Sequence, residues 1–245
     1  MAGLKLLVVS TPMGPLGQGL GGGVELTLEA VLESLHRRGH ALSLVAAAGS
    51  QLPSTPLQQS WLEPGVPQPS WQHQPRQAPV RMPADGLLAR FWQRALAEQQ
   101  HFDAVLNLGY DWLPLWLTPQ FQIPLCHLVS MGSVGEAMDQ VIAATAQHFP
   151  AQLAFHTASQ AAEIKTIGQQ RGGSLQLEIS RLTGGMKRQL RWELLGRRRD
   201  LLIHGLANTA HAHQMAQGRL ELGRQPQRQP VVAEVEHRIE ALLLG

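Results

Sequence analysis

The chain has 245 residues, 44% of them hydrophobic, and a formal net charge of +2, a composition that is typical of globular proteins and argues against disorder throughout. No apolar stretch approaches the ~20 residues of a membrane-spanning helix, so we expect no membrane span and a cytoplasmic location. The single cysteine, Cys126, excludes an internal disulfide and a multi-cysteine metal site, and we expect no bound metal.

The charge is unevenly distributed along the chain. Residues 1–162 carry a net charge of −3, whereas residues 163–245 carry +5. Of the 12 aromatic residues, only Trp192 lies in the basic segment, so the stacking surface that nucleic-acid bases prefer is missing there. We interpret the segment as a solvated basic face and expect no nucleic-acid partner.

The N-terminal residues predict a strand, a glycine-rich turn and a helix. Residues 5–10 form an apolar run, and the loop after them ends at Gly21, Gly22 and Gly23. An amphipathic helix follows, with apolar residues on or near one face: Leu26, Leu28, Val31, Leu32 and Leu35. Residues 41–46 predict a second strand. The glycine-rich turn before the helix would direct backbone N–H groups toward an anion or a sugar.

Residues 49–83 are rich in Pro, Gln and Ser and show no hydrophobic period, which indicates either a surface excursion or a flap beside a ligand cleft. Beyond them helices and strands alternate: helix 86–100, strand 102–108, short helix 113–120, strand 124–129, helix 134–148 and strand 152–157. The alternation predicts an α/β fold, a Rossmann-like parallel sheet over residues 1–160. Residues 161–245 are expected to form a basic Gln/Arg-rich tail, irregular or helical.

Candidate site residues follow from the rule that ligands bind beyond the carboxyl ends of parallel strands. Asp111 follows the third predicted strand, His127 lies at or near the end of the fourth, and Glu136 lies beyond it. Together with the glycine turn, these side chains are expected to border one cleft. Each also has an ordinary structural explanation: a loop carboxylate, a buried histidine satisfied by a partner, and a first-turn carboxylate favoured by the helix dipole.

A dinucleotide site is an alternative. Gly17-x-Gly19-x-x-Gly22 matches the dinucleotide fingerprint in letters and lies between a strand and a helix. That fingerprint also needs a carboxylate near the end of the second strand to hold the ribose, and residues 45–49 contain none. The sequence therefore disfavours an NAD-dependent oxidoreductase.

Three stretches resemble a known family: residues 9–25 with Arg38-Gly39-His40, residues 107–114, and residues 127–133. They are similar to the family-4 retaining glycosyltransferases of the GT-B fold, and more narrowly to the cyanobacterial UDP-glucose:tetrahydrobiopterin glucosyltransferases. The resemblance implies that residues 4–160 are the acceptor-side domain of such an enzyme.

The resemblance also implies roles for particular residues. Gly22 and Gly23 would approach the donor phosphates or the transferred sugar, and His127 would lie near the reacting sugar as a catalytic residue. UDP-glucose would be the donor substrate and a pterin the acceptor, with no permanently bound cofactor. Catalysis would depend on stabilising the charge of the leaving phosphate and on alignment.

The C-terminal segment departs from this family. In that family a Gly-Arg-x-x-x-x-Lys-Gly segment and a Glu-x7-Glu pair hold the donor. Neither motif occurs in residues 163–245 of this chain. We hypothesise that the reading frame departs from the family sequence soon after residue 160, and we expect little activity from this chain alone. The alternatives are a non-catalytic nucleotide- or sugar-binding module and a subunit that obtains a donor domain from a partner.

Overall fold

The computed structural model describes residues 3–162, which form a parallel β-sheet with flanking helices. The strands are β1 (Lys5–Val9), β2 (Ala41–Ala47), β3 (Gln59–Glu63), β4 (Ala104–Asn107), β5 (Leu125–Val129) and β6 (Leu153–Phe155). The helices are α1 (Gly23–Arg37), α2 (Leu87–Glu98), α3 (Trp112–Leu117) and α4 (Glu136–His148). The predicted α/β, Rossmann-like class is confirmed for these residues.

The sheet has six parallel strands in the order β3-β2-β1-β4-β5-β6. Val8 at its centre lies opposite Leu44 on one side and Leu106 on the other, and all three side chains are buried. The second and third strands in the chain, β2 and β3, lie on one side of β1, and the later strands, β4 to β6, lie on its other side. The strand order therefore reverses between β1 and β4, which opens a crevice at the carboxyl ends of these strands.

The two faces of the sheet bury different side chains. On one face, Leu28, Val31, Leu32 and Leu35 of α1 pack in a cluster with apolar strand residues, among them Leu6, Val8, Leu44, Leu106, Cys126 and Leu128. Because side chains alternate along a strand, His127 points to the opposite face. Leu26 was expected on or near the buried face but is 72% exposed, since the buried stripe of α1 begins one turn after the helix starts.

The segment 49–83 is more regular than predicted. Gln59–Glu63 forms the edge strand β3, which pairs in parallel with β2, and Trp71–His73 forms a turn of 3-10 helix. The edge strand carries few apolar residues and is only partly buried, so its pairing with β2 decides its structure more than local propensity does. Neither the strand nor the turn was predicted, because residues 49–83 show no hydrophobic period.

The predicted tail, residues 161–245, lies outside the described residues except for Ala161 and Ala162, and the boundary near residue 160 stays a prediction. Within residues 3–162, no helix has the length and apolar character needed to cross a membrane.

The central strands should carry more stability than the edge strand. We expect Leu106→Ala to lower the free energy of unfolding by about 2–5 kcal/mol, because it leaves a cavity in a close-packed region. Leu62→Ala on β3 is the matched control and should cost far less, since Leu62 is 42% exposed. Urea denaturation followed by tryptophan fluorescence measures both, and equal losses would contradict this account of the core.

Candidate functional site

A cavity of about 390 Å³ lies at the crevice where the strand order reverses. The segments that line it follow β1, β4, β5 and β6, and residues 69–73 complete its wall. Its principal lining residues are Thr11, Met13, Leu20, Gly21, Gly22, Gly23, Trp71, His73, Tyr110, Asp111, Ser130, Met131 and His156. The volume is in the range of small-molecule sites in proteins.

The predicted glycine turn lines this cavity. Gly22 has a φ of +54°, a left-handed conformation that side chains rarely adopt, and a Cβ atom there or on Gly23 would meet nothing within 4 Å. A Cβ atom on Gly21 would instead lie 2.8 Å from the Glu25 side chain and 2.9 Å from that of Thr11. Gly22 and Gly23 therefore leave open space beside the backbone, whereas Gly21 is needed for packing within the loop.

Glu25 in the first turn of α1 already binds part of this loop. Its carboxylate oxygens accept hydrogen bonds from the backbone N–H of Gly17, at 2.9 Å, and of Gly21, at 2.7 Å. A carboxylate at a helix N-terminus is favoured by the helix dipole. These two amides are thus occupied by an internal anion, whose charge would repel a dinucleotide pyrophosphate at the same place.

The Glu25 carboxylate should be important for the glycine loop. We expect Glu25→Ala to lower the free energy of unfolding by about 1–3 kcal/mol, because two backbone donors lose a charged acceptor. Glu29→Ala, on an exposed position of the same helix, is the control and should have little effect. Thermal denaturation of the two variants checks this, and indistinguishable melting temperatures would count against a structural role of Glu25.

Asp111 forms part of the cavity wall and is the N-cap residue of α3. One carboxyl oxygen accepts a hydrogen bond from the Trp112 backbone N–H at 2.8 Å, and the side chain is buried. Burial raises the pKa of Asp111 from 3.8 to about 7, although the nearby Trp112 amide, Trp71 and Gln68 favour the charged form. Asp111 therefore changes protonation near neutral pH and can accept or donate a hydrogen bond.

Two further polar groups of the cavity wall are buried, and neither makes a hydrogen bond of standard geometry among residues 3–162. They are the hydroxyl of Ser130 and the indole Nε1 of Trp71, which lies close enough to the Asp111 carboxyl group to favour its charged form. Buried polar groups usually find a partner, and unsatisfied ones in a concave site indicate a place for a bound polar molecule. Together with Asp111, the wall offers a fixed N–H donor, a hydroxyl and a carboxyl group.

His127 occupies the middle of β5 and does not line the cavity. Its Nδ1 lies 3.1 Å from Asn107 Nδ2, and its Nε2 lies 3.0 Å from the Thr118 hydroxyl. Asn107 is its neighbour in the register of β4 and β5, which places the two side chains together. Burial lowers the pKa of His127 from 6.5 to about 3, so it stays neutral at physiological pH.

Glu136 also lies outside the cavity lining. It begins α4, where its backbone N–H donates to the carbonyl of Arg76, and Gln77 donates to its carboxylate at 3.4 Å. Arg76 further binds Asp139 at 3.2 Å and so fastens segment 64–83 to the start of α4. The structure thus brings Gly21, Gly22, Gly23 and Asp111 to one cavity, while His127 and Glu136 belong to neighbouring hydrogen-bond networks.

Several lining residues were missed by sequence reasoning. Ser130 follows β5 and His156 follows β6, so the rule that selected Asp111 would also have selected them. His156 is half-buried, which lowers its pKa. Trp71 and His73 lie in a segment without a sequence period and had no signal of their own.

No protein-family model matches this chain, and no curated protein matches its sequence. The glycosyltransferase resemblance stays a prediction. Among residues 3–162, no three His, Cys, Asp or Glu side chains are placed so that they could hold a metal ion.

Asp111 and His127 should influence stability with opposite pH dependence. Between about pH 4 and 6.5 His127 is protonated in the unfolded chain but neutral in the folded chain. Its contribution to the free energy of unfolding therefore decreases as the pH falls. Over the same range Asp111 is protonated in the folded chain but ionised in the unfolded chain. Its contribution to the free energy of unfolding therefore decreases as the pH rises.

Single variants separate the two terms. The stability gap between wild type and His127→Gln should narrow as the pH falls, and the gap for Asp111→Asn should narrow as the pH rises, each by up to about 1.4 kcal/mol per pH unit. Urea unfolding at several pH values measures both gaps. Gaps that do not change with pH would show that these side chains titrate alike in the folded and unfolded chain.

Proposed function

We propose that the described domain is the acceptor-side domain of a retaining, UDP-glucose-dependent glycosyltransferase that acts in the cytoplasm. The observation that supports this most is the shared cavity of the glycine turn and Asp111 at the point of strand reversal. Such a crevice is where open parallel sheets bind ligands. The sequence resemblance supplies the reaction type and favours a pterin as the acceptor.

The cavity chemistry suits a small, flat, polar acceptor. Trp71 and Met131 provide apolar surface, and Asp111 with Ser130 provides hydrogen-bonding groups at one wall. A ligand that pairs with the Ser130 hydroxyl and the Trp71 indole would satisfy two groups that lack a hydrogen bond of standard geometry among residues 3–162, and it could also donate to Asp111 beside them. In the proposed role Asp111 binds and orients the acceptor. The C1–O bond to UDP breaks with its electron pair staying on UDP, the acceptor oxygen bonds to C1 on the same face, and the acceptor hydroxyl proton passes to the departing phosphate oxygen.

The same cavity has little to offer to a departing diphosphate. Its lining within residues 3–162 includes no lysine or arginine, and the amides of Gly17 and Gly21 are already bound to Glu25. Removing even one preorganised donor from such a reaction typically costs about 10²–10³ in rate. We therefore assign donor activation to groups outside this domain, such as a donor domain supplied by a partner.

A non-catalytic module that binds the same class of small molecule is the second candidate, and the absence of lysine and arginine from the cavity lining within residues 3–162 favours it. The oxidoreductase alternative is the weakest. Its pyrophosphate would compete with Glu25 for the loop amides, and β2 ends at Ala47 without a carboxylate for the ribose.

Calorimetric titration with tetrahydrobiopterin, UDP-glucose, UDP and NAD separates these candidates. We expect tetrahydrobiopterin to bind with 1:1 stoichiometry, NAD not to bind, and UDP release from UDP-glucose with tetrahydrobiopterin to be slow or undetectable for the chain alone. Rapid turnover would show that the chain has a donor site of its own. Binding of NAD without binding of the pterin would overturn the proposal.

Gly23→Ala tests the site without weakening the fold. The position starts α1 and has open space around a Cβ atom, so alanine should keep or raise stability, by up to about 1 kcal/mol. The added methyl group borders the cavity and should weaken tetrahydrobiopterin binding severalfold. Glu29→Ala on the same helix is the control for affinity, and an unchanged affinity of Gly23→Ala would place the ligand away from the glycine turn.

A further inference from the structure

We propose that His127 is a positioning residue, which holds the turn carrying Asp111 at the cavity through Asn107 and Gly109. The inference rests on the proposed function only in taking Asp111 as a ligand-binding residue. The connection itself consists of hydrogen bonds among buried groups.

The first link joins the end of β4 to the turn before α3. Asn107 is the last residue of β4, and its Oδ1 accepts a hydrogen bond from the backbone N–H of Gly109 at 3.0 Å. Asp111 lies two residues further on and is the N-cap residue of α3. The orientation of the Asn107 amide therefore determines where the chain leaves the sheet toward the cavity.

The second link fixes that amide. With its oxygen accepting from Gly109, Asn107 presents its NH₂ group to His127 Nδ1 at 3.1 Å. Nδ1 must then be the acceptor, which makes the buried neutral imidazole the Nε2–H tautomer. A flipped Asn107 amide would face an acceptor with its oxygen at His127 and a donor with its NH₂ group at Gly109, so the Gly109 N–H and the Nε2–H tautomer of His127 favour the same orientation.

The third link reaches the other end of α3. His127 Nε2–H donates to the Thr118 hydroxyl at 3.0 Å, and that hydroxyl donates to the carbonyl of Leu115 at 2.7 Å. Thr118 directly follows the last residue of α3. His127 therefore also contacts the residue that follows α3, the short helix whose N-cap residue is Asp111.

Two substitutions divide the roles of the imidazole. The oxygen of His127→Asn can take the place of Nδ1 and accept from Asn107, whereas the longer His127→Gln can donate to Thr118 from the place of Nε2. Both bury an amide and both should lower stability. Only His127→Gln removes the link to Asn107 and Gly109.

Amide hydrogen exchange and ¹³C NMR of the full chain test the proposal without a ligand. In His127→Gln the Gly109 amide should exchange about tenfold faster relative to the Val8 amide of the core, and the Asp111 carboxyl resonance should shift. In His127→Asn both should stay close to wild type. If the Gly109 amide exchanges at the same rate in the two variants, or at the wild-type rate in His127→Gln, His127 does not position the turn and is only a packed residue of the core.

Two additional measurements keep the outcomes distinct. In wild type, ¹⁵N NMR should find the Nε2–H tautomer of His127, and an Nδ1–H tautomer would overturn the proposal even if no variant folds. Tetrahydrobiopterin affinity should fall about tenfold in His127→Gln and at most twofold in His127→Asn. If wild type does not bind the pterin at all, the proposed function fails, while the exchange and tautomer results still decide the role of His127.

Discussion

The structure depends on one constraint, which is that all strands of a buried sheet run in the same direction. Every strand from β1 to β6 then ends at the same edge, and each return crossing must be made by a helix or a long segment. Because the order reverses at β1 and β4, the segments that follow these strands diverge and leave a crevice. The glycine turn and Asp111 meet there although they are about 90 residues apart in the chain.

The buried polar groups near this edge fall into two kinds. Asn107, His127 and Thr118 satisfy one another, so they specify geometry at little energetic cost. The Trp71 indole N–H and the Ser130 hydroxyl make no hydrogen bond of standard geometry in the described part of the chain, and both lie on the cavity wall. An unsatisfied buried group costs about 1–3 kcal/mol, and a polar ligand that pairs with it recovers that free energy on binding.

Much of this arrangement could be predicted from the sequence, because strong local signals coincide with the fold. The apolar run of β1, the glycines after it and the position of Asp111 after a strand all follow from periodicity and topology. His127 could not be placed in the same way. A shift of one residue along β5 exchanges the two faces of the sheet, and its partners Asn107 and Thr118 come from other elements. The edge strand β3 and Trp71 depend on tertiary contacts that no local pattern records.

The central claim is that a small polar molecule binds where Trp71 and Asp111 line the cavity. The most direct measurement is a titration of the ¹⁵N-labelled chain with tetrahydrobiopterin, followed at the indole N–H resonances. We expect the Trp71 resonance to move with saturation, because its Nε1 gains an acceptor, while that of Trp112, already bound to the Arg81 carbonyl, stays in place. An unmoved Trp71 resonance at saturating pterin would contradict the account.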